Sequence, residues 1–212
     1  MKLDKKNTTS NFYIAFTLLI SAVLWFLMFI IKPMNFWIEM SLSISILVAL
    51  SYWVKRDLFQ LSKITWRAII IGILSAIILY AVFYVGNIVS GYLFPFKEAQ
   101  VLSVYSNKSQ GSPLLIGSLL LLLIGPGEEL FWRGFIQQSL ATKLGETKGY
   151  LLSTLFYTGV HIVTGNFMLI IAALVCGAFW GFMYKKEKSL VPVIISHALW
   201  DFTIFVLFPL IK

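Results

Sequence analysis

Leu119-Leu120-Leu121-Leu122-Leu123-Ile124-Gly125-Pro126-Gly127-Glu128-Glu129-Leu130-Phe131-Trp132-Arg133 is the stretch that decides the fold of this chain. A membrane β-barrel strand alternates polar and apolar residues, and Leu119–Ile124 does not alternate. The run therefore reads as helix. Glu128, Glu129 and Arg133 then place three ionisable side chains inside an otherwise apolar segment, Leu114–Ala141. Such groups are costly at membrane depth and mark function by default.

Outward from this stretch, six more apolar segments follow the same reading: Phe12–Ile31, Met34–Val54, Ala68–Leu93, Gly149–Gly165, Asn166–Tyr184 and Leu190–Ile211. A span needs roughly 20 residues. The expected fold is an all-α, polytopic membrane helix bundle of about seven transmembrane helices. Composition agrees: of 212 residues 59% are hydrophobic and 12% charged, the latter about half the usual quarter. Such a chain could not cover its surface in water. That excludes a soluble globular enzyme, a disordered chain and a nucleic-acid module, and makes the lipid bilayer its first partner. The single Cys176 lies in an apolar run and can form no internal disulfide.

The net charge of +8 is topological, because basic residues sit at the ends of the apolar segments. With the N-terminus inside, the inner side carries twelve (Lys2, Lys5, Lys6, Lys55, Arg56, Lys63, Arg67, Lys143, Lys148, Lys185, Lys186, Lys188) and the outer side four (Lys32, Lys97, Lys108, Lys212). This positive-inside bias predicts a plasma-membrane protein with a cytoplasmic N-terminus and an external C-terminus. Phe12–Ile31 is 20 residues long with no small-residue cleavage site, so it reads as an uncleaved anchor and not a signal peptide. Lys55–Arg67 reads equally as an interfacial stretch or a solvated loop, and Phe96–Ser112 as an outer loop.

Seven ionisable residues fall within the segments: Glu39, Glu128, Glu129, Arg133, His161, His197 and Asp201. All but Glu39 lie in the last four. Glu39, near a segment end, is expected to snorkel to the outer interface or to line a substrate entrance. Around Gly125-Pro126-Gly127 the missing N–H of Pro126 predicts a break and a new helix start. Glu128 and Glu129 would then sit in a favourable first turn. Glu129 and Arg133 are i,i+4 and share a face, which predicts a structural ion pair. Glu128 points about 100° away and is the free carboxylate. Tyr157 and His161 share a face, as do His197 and Asp201, with Ser196 beside them. At ~1.5 Å per residue from the cytoplasmic ends, Glu128, His161, His197 and Asp201 fall in one broad layer. They could converge on one cavity.

A carboxylate with an imidazole can activate water as a general base. Two histidines with carboxylates could instead hold a divalent ion, and two His with one Glu is a zinc-hydrolase set. A proton or ion carrier could use the same groups.

Glu128-Glu129-x-x-x-Arg133, Tyr157-x-x-x-His161 and His197-x-x-x-Asp201 resemble, in order and on separate helices, the EExxxR, FxxxH and HxxxN/D motifs of the CPBP family. This family comprises CAAX-processing intramembrane endopeptidases and bacteriocin self-immunity (Abi) proteins. The resemblance covers roughly Ser112 to Phe208. It implies an intramembrane endopeptidase, metalloprotease or glutamate protease, acting on a membrane-associated protein or peptide precursor. Glu128 and His161 would activate water. His197 and Asp201 would stabilise the tetrahedral intermediate or complete a metal site, zinc first, formed by Glu128, His161, His197 and Asp201; a metal-free route stays open. Glu129, Arg133 and Tyr157 would support. Tyr157 departs from the family Phe by a hydroxyl that needs a partner when buried. Asp201 departs from the Asn of eukaryotic members and, when ionised, cannot donate to an oxyanion. Residues 1–111 carry no motif, and 112–212 form the expected catalytic core within one membrane domain. The alternative function is a non-enzymatic bacteriocin self-immunity or membrane interaction protein.

Overall fold

A computed structural model describes residues 9–56 and 64–211. All of its regular structure among these residues is helical: α1 Asn11–Ile31, α2 Phe36–Val54, α3 Trp66–Leu93, α4 Lys97–Tyr105, α5 Pro113–Leu144, α6 Glu146–His161, α7 Phe167–Glu187 and α8 Leu190–Leu207. Polar side chains start most of them. Ser10, Asn35, Thr65, Ser112, Asn166 and Ser189 each accept a backbone N–H in the first turn of the helix that follows, satisfying donors that a helix start leaves open. Residues 57–63 lie outside the described residues, so the choice between an interfacial stretch and a loop there falls outside them too.

Six of the helices (α1, α2, α3, α5, α7 and α8) are long and apolar enough to cross a bilayer. Their outward faces carry exposed large apolar side chains, such as Ile70, Ile73, Leu74, Ile77 and Ile78 of α3. The chain is a multi-pass integral membrane protein. The expected segment Gly149–Gly165 takes a different form. It folds as the 16-residue α6, about 24 Å at 1.5 Å per residue, short of a hydrocarbon core of about 30 Å. Gly145, at φ 87°, starts it directly after α5, and a 3₁₀ turn ending at Gly165, φ 62°, closes it.

The deciding stretch also departs from expectation. There is no break at Pro126: α5 is one continuous rod of 32 residues. It contains two π-helical turns, Leu120–Ile124 and Leu130–Gln137, flanking Gly125–Glu129. The Gly125 N–H bonds the carbonyl five residues back, at Leu120. Widening the turns accommodates the N–H that proline lacks without ending the helix. Glu128 and Glu129 are therefore mid-helix and receive no first-turn stabilisation.

Helix α5 is the axis of the bundle, with every residue from Phe131 to Gln137 buried. It packs on α2, α6 and α8; α8 packs on α3, α6 on α7, and α1 on α2 and α6. Glycines allow the closest approaches. A Cβ at Gly125 would sit 3.0 Å from the Cα of Ala198 on α8, and one at Gly127 would land on the Ile44 side chain of α2.

Polar contacts tie the two ends of the bundle. At one end Lys143 meets Asn11, Lys55 meets Gln138, Lys185 meets Thr147, Lys188 meets Glu146 and Arg67 meets Glu187. At the other, Asn35 Nδ2 donates to the Gln110 carbonyl at 2.6 Å, Trp37 Nε1 to the Asn107 carbonyl at 2.9 Å and Asn166 Nδ2 to the Gln100 carbonyl at 2.8 Å. Glu39, in the first turn of α2, is buried and does not line the central cavity, and its Oε2 has no hydrogen-bond partner among the described residues.

Candidate active site

Glu128, His161, His197 and Asp201, from α5, α6 and α8, line one cavity of about 450 Å³. Its other walls are mostly apolar and come from α1, α2, α3, α4 and α7 as well, for example Phe29, Met40, Phe83 and Val104. All four ionisable residues are buried. The layer inferred from helix counting is thus a single chamber.

The expected Glu129–Arg133 ion pair is present. Arg133 Nη1 donates to Glu129 Oε1 at 2.9 Å with both side chains buried. The guanidinium is held further by the Cys176 and Gly177 carbonyls, each 3.4 Å from Nη2, and lies over the rings of Tyr157 and Trp180 at 4.9 and 5.7 Å. Glu129 does more than neutralise the arginine. The same Oε1 accepts the Nδ1–H of His197 at 2.6 Å, so it joins the first motif to the third. His197 is stacked on Trp180 with ring centroids 3.7 Å apart. Trp180 is itself fixed through Nε1 to Ser196 Oγ at 3.1 Å. Asp201 Oδ2 lies 3.4 Å from His197 Nε2. The imidazole therefore sits between two carboxylates, Glu129 giving the closer contact and Asp201 the second.

Glu128 is not wholly free. The Tyr157 hydroxyl donates to its Oε2 at 3.0 Å, which is the partner that the extra hydroxyl requires. Its Oε1 has no hydrogen-bond partner among the described residues. Tyr157 is pinned by edge packing on Trp132 at 5.2 Å. The contact Gly177 makes with it leaves only 3.1 Å between a would-be Cβ and the ring.

His161 is held at both nitrogens. A carbonyl only accepts and an indole N–H only donates. The 2.7 Å contact of Nδ1 with the Tyr157 carbonyl makes Nδ1 the protonated nitrogen. The 3.2 Å bond from Trp25 Nε1 then ends on the Nε2 lone pair. Trp25 comes from α1, in the half of the chain that carries no motif. Nothing in its local sequence, an unbroken apolar run, marks it. Trp180 was equally hidden, whereas Ser196 stands beside His197.

These arrangements bear on a metal. As placed, His161 offers no lone pair, His197 Nδ1 is spent on Glu129, and Glu128 Oε2 is taken by Tyr157. No group of three or more His, Cys, Asp or Glu side chains among the described residues is disposed to hold an ion. The four residues as arranged do not fit a zinc site.

Residues 110–203 match a family model described as Rce1-like, type II CAAX prenyl endopeptidase Rce1-like. The matched segment contains all three motifs and every residue of the chamber that carries a charge. It supports the CPBP/CAAX protease resemblance on the same residues that suggested it. No curated protein and no solved structure matched the chain.

Proposed function

We propose, with the Rce1-like character of residues 110–203 as premise, that the chain is an intramembrane endopeptidase of the plasma membrane. It would hydrolyse a peptide bond of a membrane-associated protein or peptide precursor without a metal. One observation carries this reading: Glu128, His161, His197 and Asp201 converge on a single chamber inside an apolar bundle.

Glu128 is the base. Its Oε2 is anchored by Tyr157 and its Oε1 is left to take a proton. One O–H bond of a water breaks, the proton passes to Glu128, and the oxygen bonds to the substrate carbonyl carbon. The carbonyl oxygen becomes an oxyanion, and His197 is the group assigned to it, its ring held by Glu129 and Asp201. As the intermediate collapses, the C–N bond breaks and Glu128 returns its proton to the leaving nitrogen. The products are a carboxylic acid and an amine, and the acid's proton then passes to the amine to leave a carboxylate and an ammonium group. A mostly apolar chamber strengthens each of these electrostatic contacts relative to water.

The test is terminal-peptide mass spectrometry of membranes and medium from cells making the wild type or Glu128→Gln at equal levels. A positioned base contributes roughly 10²- to 10⁴-fold, so a terminus present with the wild type should vanish with Glu128→Gln. Identical profiles, with a protective phenotype kept in both strains, would favour a non-enzymatic immunity protein instead.

A further inference from the structure

The Tyr157 carbonyl alone fixes which nitrogen of His161 carries the proton. The bond from Trp25 is therefore not needed to choose the tautomer. Its effect is to occupy the one lone pair by which His161 could accept a proton or bind an electrophile. The contact is built in: Trp25 is 1% exposed, its indole meets the imidazole edge-on with centroids 5.8 Å apart, and α1 packs directly against α6.

We propose that Trp25 is a positioning residue of this site, its indole N–H capping Nε2 of His161 so that the imidazole is reactive only when α1 withdraws the indole. The control over His161 then resides outside the segment that carries the motifs. Withdrawal of Trp25 would release the lone pair toward the chamber that His161 already lines. Substrate entering against α1, whose Phe29 also lines the chamber, is the event placed to cause it. The inference rests on the chamber being the site proposed above.

The test needs no cleavage, so its failure is separable from failure of the protease reading. Purified full-length chain in detergent is treated with diethyl pyrocarbonate, which attacks an imidazole nitrogen with a free lone pair. Carbethoxylation of His161 and His197 is followed by peptide mass spectrometry. The variants are Trp25→Phe, which removes the N–H, and replacement of Trp25 by 3-benzothienylalanine, which keeps the indole shape with sulfur in place of N–H. Losing one hydrogen bond to the lone pair should speed labelling of His161 by up to about tenfold. His197, held by Glu129 and Asp201, should keep its wild-type rate. Should Trp25→Phe loosen the bundle, the isosteric replacement decides. Unchanged labelling of His161 in the isosteric variant, or a rise at both histidines together, overturns the proposal.

Discussion

Glu129 is the residue on which most of the site's charge depends. Its Oε1 accepts from Arg133 and from His197, and the side chain is fully buried. Tyr157 has a narrower task, one hydroxyl donated to Glu128. The two should separate in a stability measurement. Glu129→Gln leaves Arg133 buried without its carboxylate, a loss of about 3–5 kcal/mol when one partner of a buried pair is removed. Tyr157→Phe keeps the ring and deletes one hydrogen bond, at about 1 kcal/mol. Thermal unfolding in detergent should therefore show a large drop in midpoint for Glu129→Gln and a small one for Tyr157→Phe, with cleavage retained in the latter. Equal midpoints for the two would remove Glu129 from the centre of the network. The i,i+4 spacing made the Glu129–Arg133 pair legible from sequence, because helix geometry alone forces those side chains together. The bonds from His197 to Glu129 and from Tyr157 to Glu128 join separate helices, and spacing along the chain does not encode them.

At the scale of the element, α5 owes its continuity to its two π-helical turns and its depth in the bundle to glycine. Gly127 faces Ile44 of α2, which is fully buried. Gly127→Ala should overpack this contact and cost about 1–3 kcal/mol. Ile44→Ala alone should cost about 2–5 kcal/mol through its cavity. Together they should be less destabilising than their sum, with a coupling above about 0.5 kcal/mol. Additive losses would mean that the α2–α5 approach is not set there. The apolar run made the helix legible and the motif spacing its Glu129–Arg133 pair. Proline with two glycines suggested a break, since the missing N–H is a local fact. Whether a helix ends or widens depends on the helices packed around it, and here α2 and α8 enclose the turn. Trp25 was illegible for a related reason: a tryptophan in an apolar run is indistinguishable from one facing lipid until the fold places it beside His161.

For the whole molecule, α6 sets how many times the chain crosses. Helix α6 is too short to qualify by length, yet its ends reach opposite ends of the bundle. Its first turn holds Glu146 and Thr147 against Lys188 and Lys185. Beyond its last turn, Asn166 bonds the Gln100 carbonyl at the far end. The same near end gathers Lys55, Arg67 and Lys143. A cluster of lysine and arginine at one end of a membrane bundle belongs on the cytoplasmic side. These contacts predict that α6, with the 3₁₀ turn after it, completes a seventh crossing and that residues near Ser109 face outward. The sole native cysteine, Cys176, is buried, so single cysteines can report topology. With a membrane-impermeant maleimide, Ser109→Cys should label in intact cells. Thr142→Cys and Lys186→Cys should label only after the membrane is opened. Labelling of Lys186→Cys from outside while Thr142→Cys stays protected would mean that α6 does not cross with α5 and α7. The reversed pattern at all three sites would invert the molecule and place the basic end outside.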